Sequence, residues 1–175
     1  LTVSIGAVMT VVLLTFGWMV ERSINSHFVQ QDVDELNAVV QSLTQSLAEQ
    51  PASQAPDALK RRLAAAVSGH HNAQFRVSDS DGNVIYATSN SNLDSFARVA
   101  PSVDTIDIDS VRIWRDKGQT YRGAVMQLRK NDFQDDKPLT LAVATGINFH
   151  LHYLESFRSY LRLITAVACF IAILA

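Results

Sequence analysis

The 175 residues are 47% hydrophobic and 18% charged, enough for one ordinary domain plus membrane-crossing segments. Seventeen acidic side chains against fifteen basic ones leave a formal net charge of −2. There is no basic stripe, which argues against nucleic acid as a partner. The single cysteine, Cys169, lies in the last apolar run and has no second thiol in the chain to bridge.

Residues 1–20 carry no charge and are just long enough to cross a hydrocarbon core of about 30 Å. No small-residue cleavage site follows them; Glu21, Arg22 and Asn25 come next. Residues 163–175 form a second uncharged run. The chain therefore reads as a piece cut within two membrane helices. Residues 1–20 are the first, 21–160 an extracytoplasmic domain, and 161–175 the start of the second. Arg158 and Arg162 are placed to snorkel at the near interface.

Past residue 20 the helix is expected to continue. Val29, Val33, Leu36, Val40, Leu43 and Leu47 recur at alternating spacings of four and three. This seam suits a helix packed on its own domain, and equally one that meets a second copy of itself. The segment 51–56 (PASQAP) breaks the helix. Asp57 can cap a short second one, with Leu59, Leu63, Ala66 and Val67 on one face until Gly69. His70 and His71 follow in what reads as a surface loop, since adjacent histidines share no face and no third ligand is near.

Two strands, 74–79 and 83–88, then flank the hairpin signal Ser80–Asp81–Gly82. Asp79, Asp81 and Asn83 superficially suggest a calcium loop, but Asn90 stands where the bidentate glutamate belongs. A short helix over 93–100 ends at Pro101. Strands are expected over 106–115, 119–129 and 139–147. Asp107 and Asp109 point outward from the first of these, and a charged loop (130–137) separates the last two. The sum is α+β, with a five-stranded antiparallel sheet, a long N-terminal helix and a C-terminal exit helix. Placed between two membrane helices, it resembles the PAS-like (PDC-type) extracytoplasmic sensor domains of bacterial receptors.

No glycine-rich phosphate loop, GxSxG elbow, HExxH or Cys–His nucleophile pair is present. The stretch is not expected to be an enzyme, and a ligand site is the better expectation. His27 lies about 10 Å above Val20, and His150 about 16 Å above Leu161, at 1.5 Å per helical residue. Each continues the apolar face of its helix. Two neutral imidazoles at similar height suit a linear d10 cation such as Cu(I) or Ag(I), whereas Zn(II) wants about four ligands. Phe28 can offer its ring to a bound cation. The same placement also suits histidines that hydrogen-bond to backbone or water at a membrane surface.

The segments HFVQQDVDEL (27–36), DSDGNVIYATS (79–89) and INFHLHY (147–153) resemble the copper/silver-sensing membrane histidine kinases of the Cus/Cop type. The similarity spans the chain and is densest at its two ends. It implies a periplasmic sensor domain in the bacterial inner membrane, acting as a homodimer. It implies that His27 and Phe28 of one protomer share Cu(I) or Ag(I) with His150 of its partner. His152 matches no ligand position and is left as a local residue or a support for the ligands. No organic cofactor is implied. The resemblance implies that the ATP-using catalytic core lies beyond residue 175 and that a cognate response regulator is a partner through that part. Some family members carry a Met- and His-rich loop with an internal site; residues 117–137 hold only Met126 and no histidine, so interface sites alone are expected. Two other readings are a PAS-like receptor for a small organic ligand or divalent cation, and a ligand-free dimerisation module driven by the Val29–Leu47 seam.

Overall fold

The computed structural model describes residues 2–48, 56–70, 72–88, 93–128 and 138–174. It divides into two compact units: Gln30–Ile147, and Leu1–Val29 together with Asn148–Ala175. One helix, α1 (Thr2–Ala48), contributes to both and has no break, in keeping with a run that contains no proline.

In the unit Gln30–Ile147 the rest of α1 is followed by α2 (Pro56–Ala66), β1 (Ala73–Ser78), β2 (Val84–Ala87) and α3 (Leu93–Val99). Then come β3 (Ser102–Val103), β4 (Arg112–Asp116), β5 (Gln119–Leu128) and β6 (Leu139–Gly146). The sheet has six strands among the described residues, not five, in the order β2-β1-β6-β5-β3, with β4 also on β5. It is mixed: β3 runs parallel to β5, pairing Ser102 with Val125. The other pairings are antiparallel. Two residues of strand leave no periodicity to read, which is why β3 escaped the sequence.

The expected strand over 106–115 is shorter than its alternation suggested. Asp107 Oδ1 accepts the amides of Asp109 at 3.0 Å and Ser110 at 2.8 Å, and Ser110 Oγ returns a bond to the Asp107 carbonyl. This turn competes with the ladder and wins. Ile106 is buried and Ile108 exposed, whereas a strand would set both on one face; Ile108 lies in the turn. The β4–β5 hairpin closes through Lys117 and Gly118, both at positive φ, the backbone of a tight two-residue turn.

Register fixes the two faces of the sheet. Phe75 pairs with Val143, and Val143 with Ala124, a row fully or nearly fully buried. Arg122 and Thr145 share that face by the two-residue period. There the Arg122 guanidinium meets the Asp32 carboxylate of α1, and Asn37 Nδ2 donates to the Ile106 carbonyl at 3.1 Å. The opposite face carries Val125, Ala142 and Ala144 under Leu93 and Phe96 of α3. Trp114 stacks on Phe96 at 3.8 Å. Gly123 is required where β5 meets β6, because a Cβ would lie 2.2 Å from the Val143 carbonyl oxygen.

Val33, Leu36, Val39, Leu43 and Leu47 of α1 are each 4% exposed or less. The buried face includes Val39 where the seam predicted Val40, which is only half-buried. It is broader than a narrow coiled-coil stripe, as packing on a sheet requires. Four of the six seam residues, Val33, Leu36, Leu43 and Leu47, are thus covered within one copy.

Other expectations meet the structure locally. In α2, Leu59 and Leu63 are buried, while the Asp57 side chain lies outside the described residues. So do His71, Asn90 and the loop 130–137. His70 is less free than expected, its Nδ1 lying 3.2 Å from Glu35 Oε1. Asp79 is occupied by its own turn, accepting the amides of Asp81 and Asn83 at 2.9 and 2.8 Å.

A candidate metal centre on a helix pair

The second unit pairs the first part of α1 with α4 (Asn148–Leu174). Asn148 stands first in α4, a position where asparagine is favoured because its side chain can cap free amides. The helices run antiparallel, and their contacts keep one register. Phe28 meets His150, Glu21 meets Arg158, Gly17 meets Leu161 and Thr10 meets Cys169. Eighteen residue steps of α1, about 27 Å, are matched by nineteen of α4. A Cβ on Gly17 would lie 2.1 Å from Leu161 Cδ2. Glycine therefore sets how closely the helices approach.

Among the described residues, Gly6–Ala48 is long and apolar enough to cross a membrane. Its large side chains Val8, Val11, Val12, Phe16 and Trp18 are more than half exposed. On α4, Leu163, Ile164 and Phe170 are exposed in the same way.

At the outer end of the pair, the Phe28 ring lies flat on the His150 imidazole, with centroids 4.2 Å apart and planes within 3°. Tyr153 stands edge-on to Phe28 at 5.7 Å and 89°. His27 is exposed beside them and lines an open cleft of about 480 Å³ with Ser23, Ile24, Phe28, Phe149 and Tyr153. His152, about 200° round the helix from His150, is exposed and does not line the cleft. The structure therefore brings Phe28 and His150 together and sets His27 on the open side. Tyr153 and Phe149 were visible only as part of the INFHLHY motif. Aromatic residues beside a histidine at this spacing were the available signal.

Among the described residues no group of three or more His, Cys, Asp or Glu side chains converges as a metal cage. One copy offers imidazoles and an aromatic face, a sparse donor set. That chemistry fits a two-coordinate monovalent d10 cation and not a tetrahedral Zn(II).

Further down the pair, Arg158 is paired with Glu21. Its Nε and Nη2 both donate to Glu21 Oε1, at 2.9 and 2.5 Å. The hydrogen bond from Arg158 holds the Glu21 carboxyl below its usual value, partial burial opposes this, and the charge of Arg158 adds to the lowering.

A sensor domain framed by its own terminal helices is the class that this fold and site define. The chain matches the CusS sensor domain over residues 1–154 and belongs to that family. It is 26% identical to the sensor histidine kinase CusS of Escherichia coli (strain K12), over 91% of this chain and 36% of that protein. It is likewise 26% identical to the probable sensor kinase SilS of Salmonella typhimurium, over 92% of this chain and 35% of that protein. The chain thus spans about a third of the curated relatives it matches. Among solved structures it is similar to the CusS sensor domain with silver bound, with a TM-score of 0.52 and 25% identity. That match covers 74% of this chain and 97% of the other. The expected family is borne out.

Proposed function

We propose that this chain is the periplasmic Cu(I)/Ag(I)-sensing part of a sensor histidine kinase in a bacterial inner membrane. Residues 1–20 and 161–175 belong to its two membrane helices, and 21–160 form a PAS-like sensor domain. The protein works as a homodimer. His27 and Phe28 of one protomer and His150 of its partner hold the cation, with His152 at most a support, and no organic cofactor takes part. The kinase core belongs to the remainder of the protein, and a cognate response regulator is its partner there.

The observation that carries this reading is the flat contact of Phe28 on His150 with exposed His27 beside it. Two imidazoles supply nitrogen lone pairs to a soft cation, and the ring face of Phe28 adds a cation–π contact. A second copy completes a site that one copy leaves open. The cation biases signalling only as far as it prefers one helix arrangement over another, with about 1.4 kcal/mol giving a tenfold shift. The seam-driven, ligand-free module is disfavoured, because Val33, Leu36, Leu43 and Leu47 of the seam are buried within one copy.

The test is an Ag(I) titration of the chain in detergent micelles, with Zn(II) as control. His27→Ala and His150→Ala are each expected to abolish tight binding, and His152→Ala to leave it nearly intact. Tight binding that survives in both of the first two variants overturns the assignment.

A further inference from the structure

Glu21 has a choice of two arginines on α4. Arg158 holds it in the structure. Arg162 lies four residues on, about 6 Å along the same helix face. Its Nε folds back onto the Arg158 carbonyl at 3.3 Å, and among the described residues no carboxylate pairs with it.

We propose that α4 has a second register against α1, one helical turn away from the membrane, in which Arg162 replaces Arg158 on Glu21. Metal bound through His150 selects that register; this clause rests on the sensing function proposed above.

The pattern along the seam supports a step of this size and direction. Moving α4 by four residues brings Thr165 to Gly17 in place of Leu161. Gly17 offers a notch against which Leu161 is already packed tightly, and threonine is the smaller occupant. Thr165 is 8% exposed, and its Oγ1 is buried with no hydrogen-bond partner, a cost that a new neighbour can relieve. The same step brings Leu154 to Phe28, so the ring stays covered while His150 withdraws from it. His150, released from the ring, then becomes available to a cation.

A step the other way is opposed. It carries Glu155 towards Glu21, setting like charges together. The outward step gives up the Phe28–His150 stack and the 2.9 Å contact of Thr10 with Cys169. Those contacts favour the register seen here until a cation competes for His150. One-turn displacements of packed elements are an established switching mode.

The experiment measures the register directly. Nitroxide labels at Val8→Cys and Ser159→Cys, in a Cys169→Ser background, are placed on the full chain in lipid vesicles, diluted with unlabelled chain. Ag(I) is expected to lengthen the label separation by about 6 Å. Arg158→Gln is expected to raise the long-distance fraction about two- to fivefold without metal. Arg162→Gln is expected to hold the short distance with Ag(I), at unchanged Ag(I) stoichiometry. Histidine-dependent Ag(I) binding with one unchanged distance in all three chains overturns the slide and leaves the sensing function standing. Absence of Ag(I) binding overturns the sensing function alone. The metal-free Arg158→Gln chain then decides the slide: a long distance supports it, and a short one sinks it.

Discussion

The Phe28 ring and the His150 imidazole lie 4.2 Å apart with planes 3° from parallel. The contact covers a nitrogen base with a π-face, in a part of the chain otherwise open to solvent at His27 and Phe149. Phe28→Trp is expected to keep the stack and to place an indole where a cation would arrive. Ag(I) should then quench the added fluorescence above the background of Trp18 and Trp114. The quenching should vanish with His150→Ala, and persistence in that variant would disconnect the ring from the site.

The ion pair of Asp32 with Arg122 is buried, at 4% and 7% side-chain exposure. Removing one partner strands a charge, so Arg122→Ala is expected to cost about 3–5 kcal/mol in unfolding stability. Asp32→Leu with Arg122→Met should be near neutral or stabilising. Urea unfolding of the two variants side by side checks the sign.

Gly17→Ala should loosen the helix pair, because the new methyl meets Leu161 Cδ2. The obstacle is a side chain, so Leu161→Ala in the same chain is expected to restore the thermal stability in detergent. A double variant no better than the single one would place the strain elsewhere.

Much of the fold was legible because its longest elements carry strong signals. The unbroken α1 and the strands β5 and β6 fall close to where alternation and the lack of proline put them. The misreadings have local causes. Residues 106–109 alternate like a strand, but the Asp107 side chain offers the backbone a turn instead. The seam picked Val40 over Val39 because a 4-3 spacing assumes a narrow contact, and α1 lies on a broad sheet. At the site, spacing placed His27 and His150 at similar heights. It had no means of showing that His150 would lie under Phe28, since that depends on the relative rotation of two helices distant in sequence.

Acid should not undo the Glu21–Arg158 contact within the ordinary range. The carboxyl value is lowered from 4.5 by its arginine. The stabilisation is therefore fully present above that unfolded value and is lost only as pH falls through the lowered folded one. Thermal stability in detergent, followed against pH, reads this directly. Between pH 5 and 8 the profile of Glu21→Gln should parallel that of the parent chain; a divergence there would mean that Glu21 titrates in that range.

The contact of Gly17 with Leu161 joins two helices of the same chain. Their encounter is governed by the tether of residues between them and not by how much protein the bilayer holds. Spreading the chains thinly in lipid should leave each pair intact, and a truncated copy supplying only the leading helix should compete poorly for its place. In the membrane homodimer proposed above, the unit that pairs would then be a hairpin, two of them meeting side by side and not four interchangeable rods.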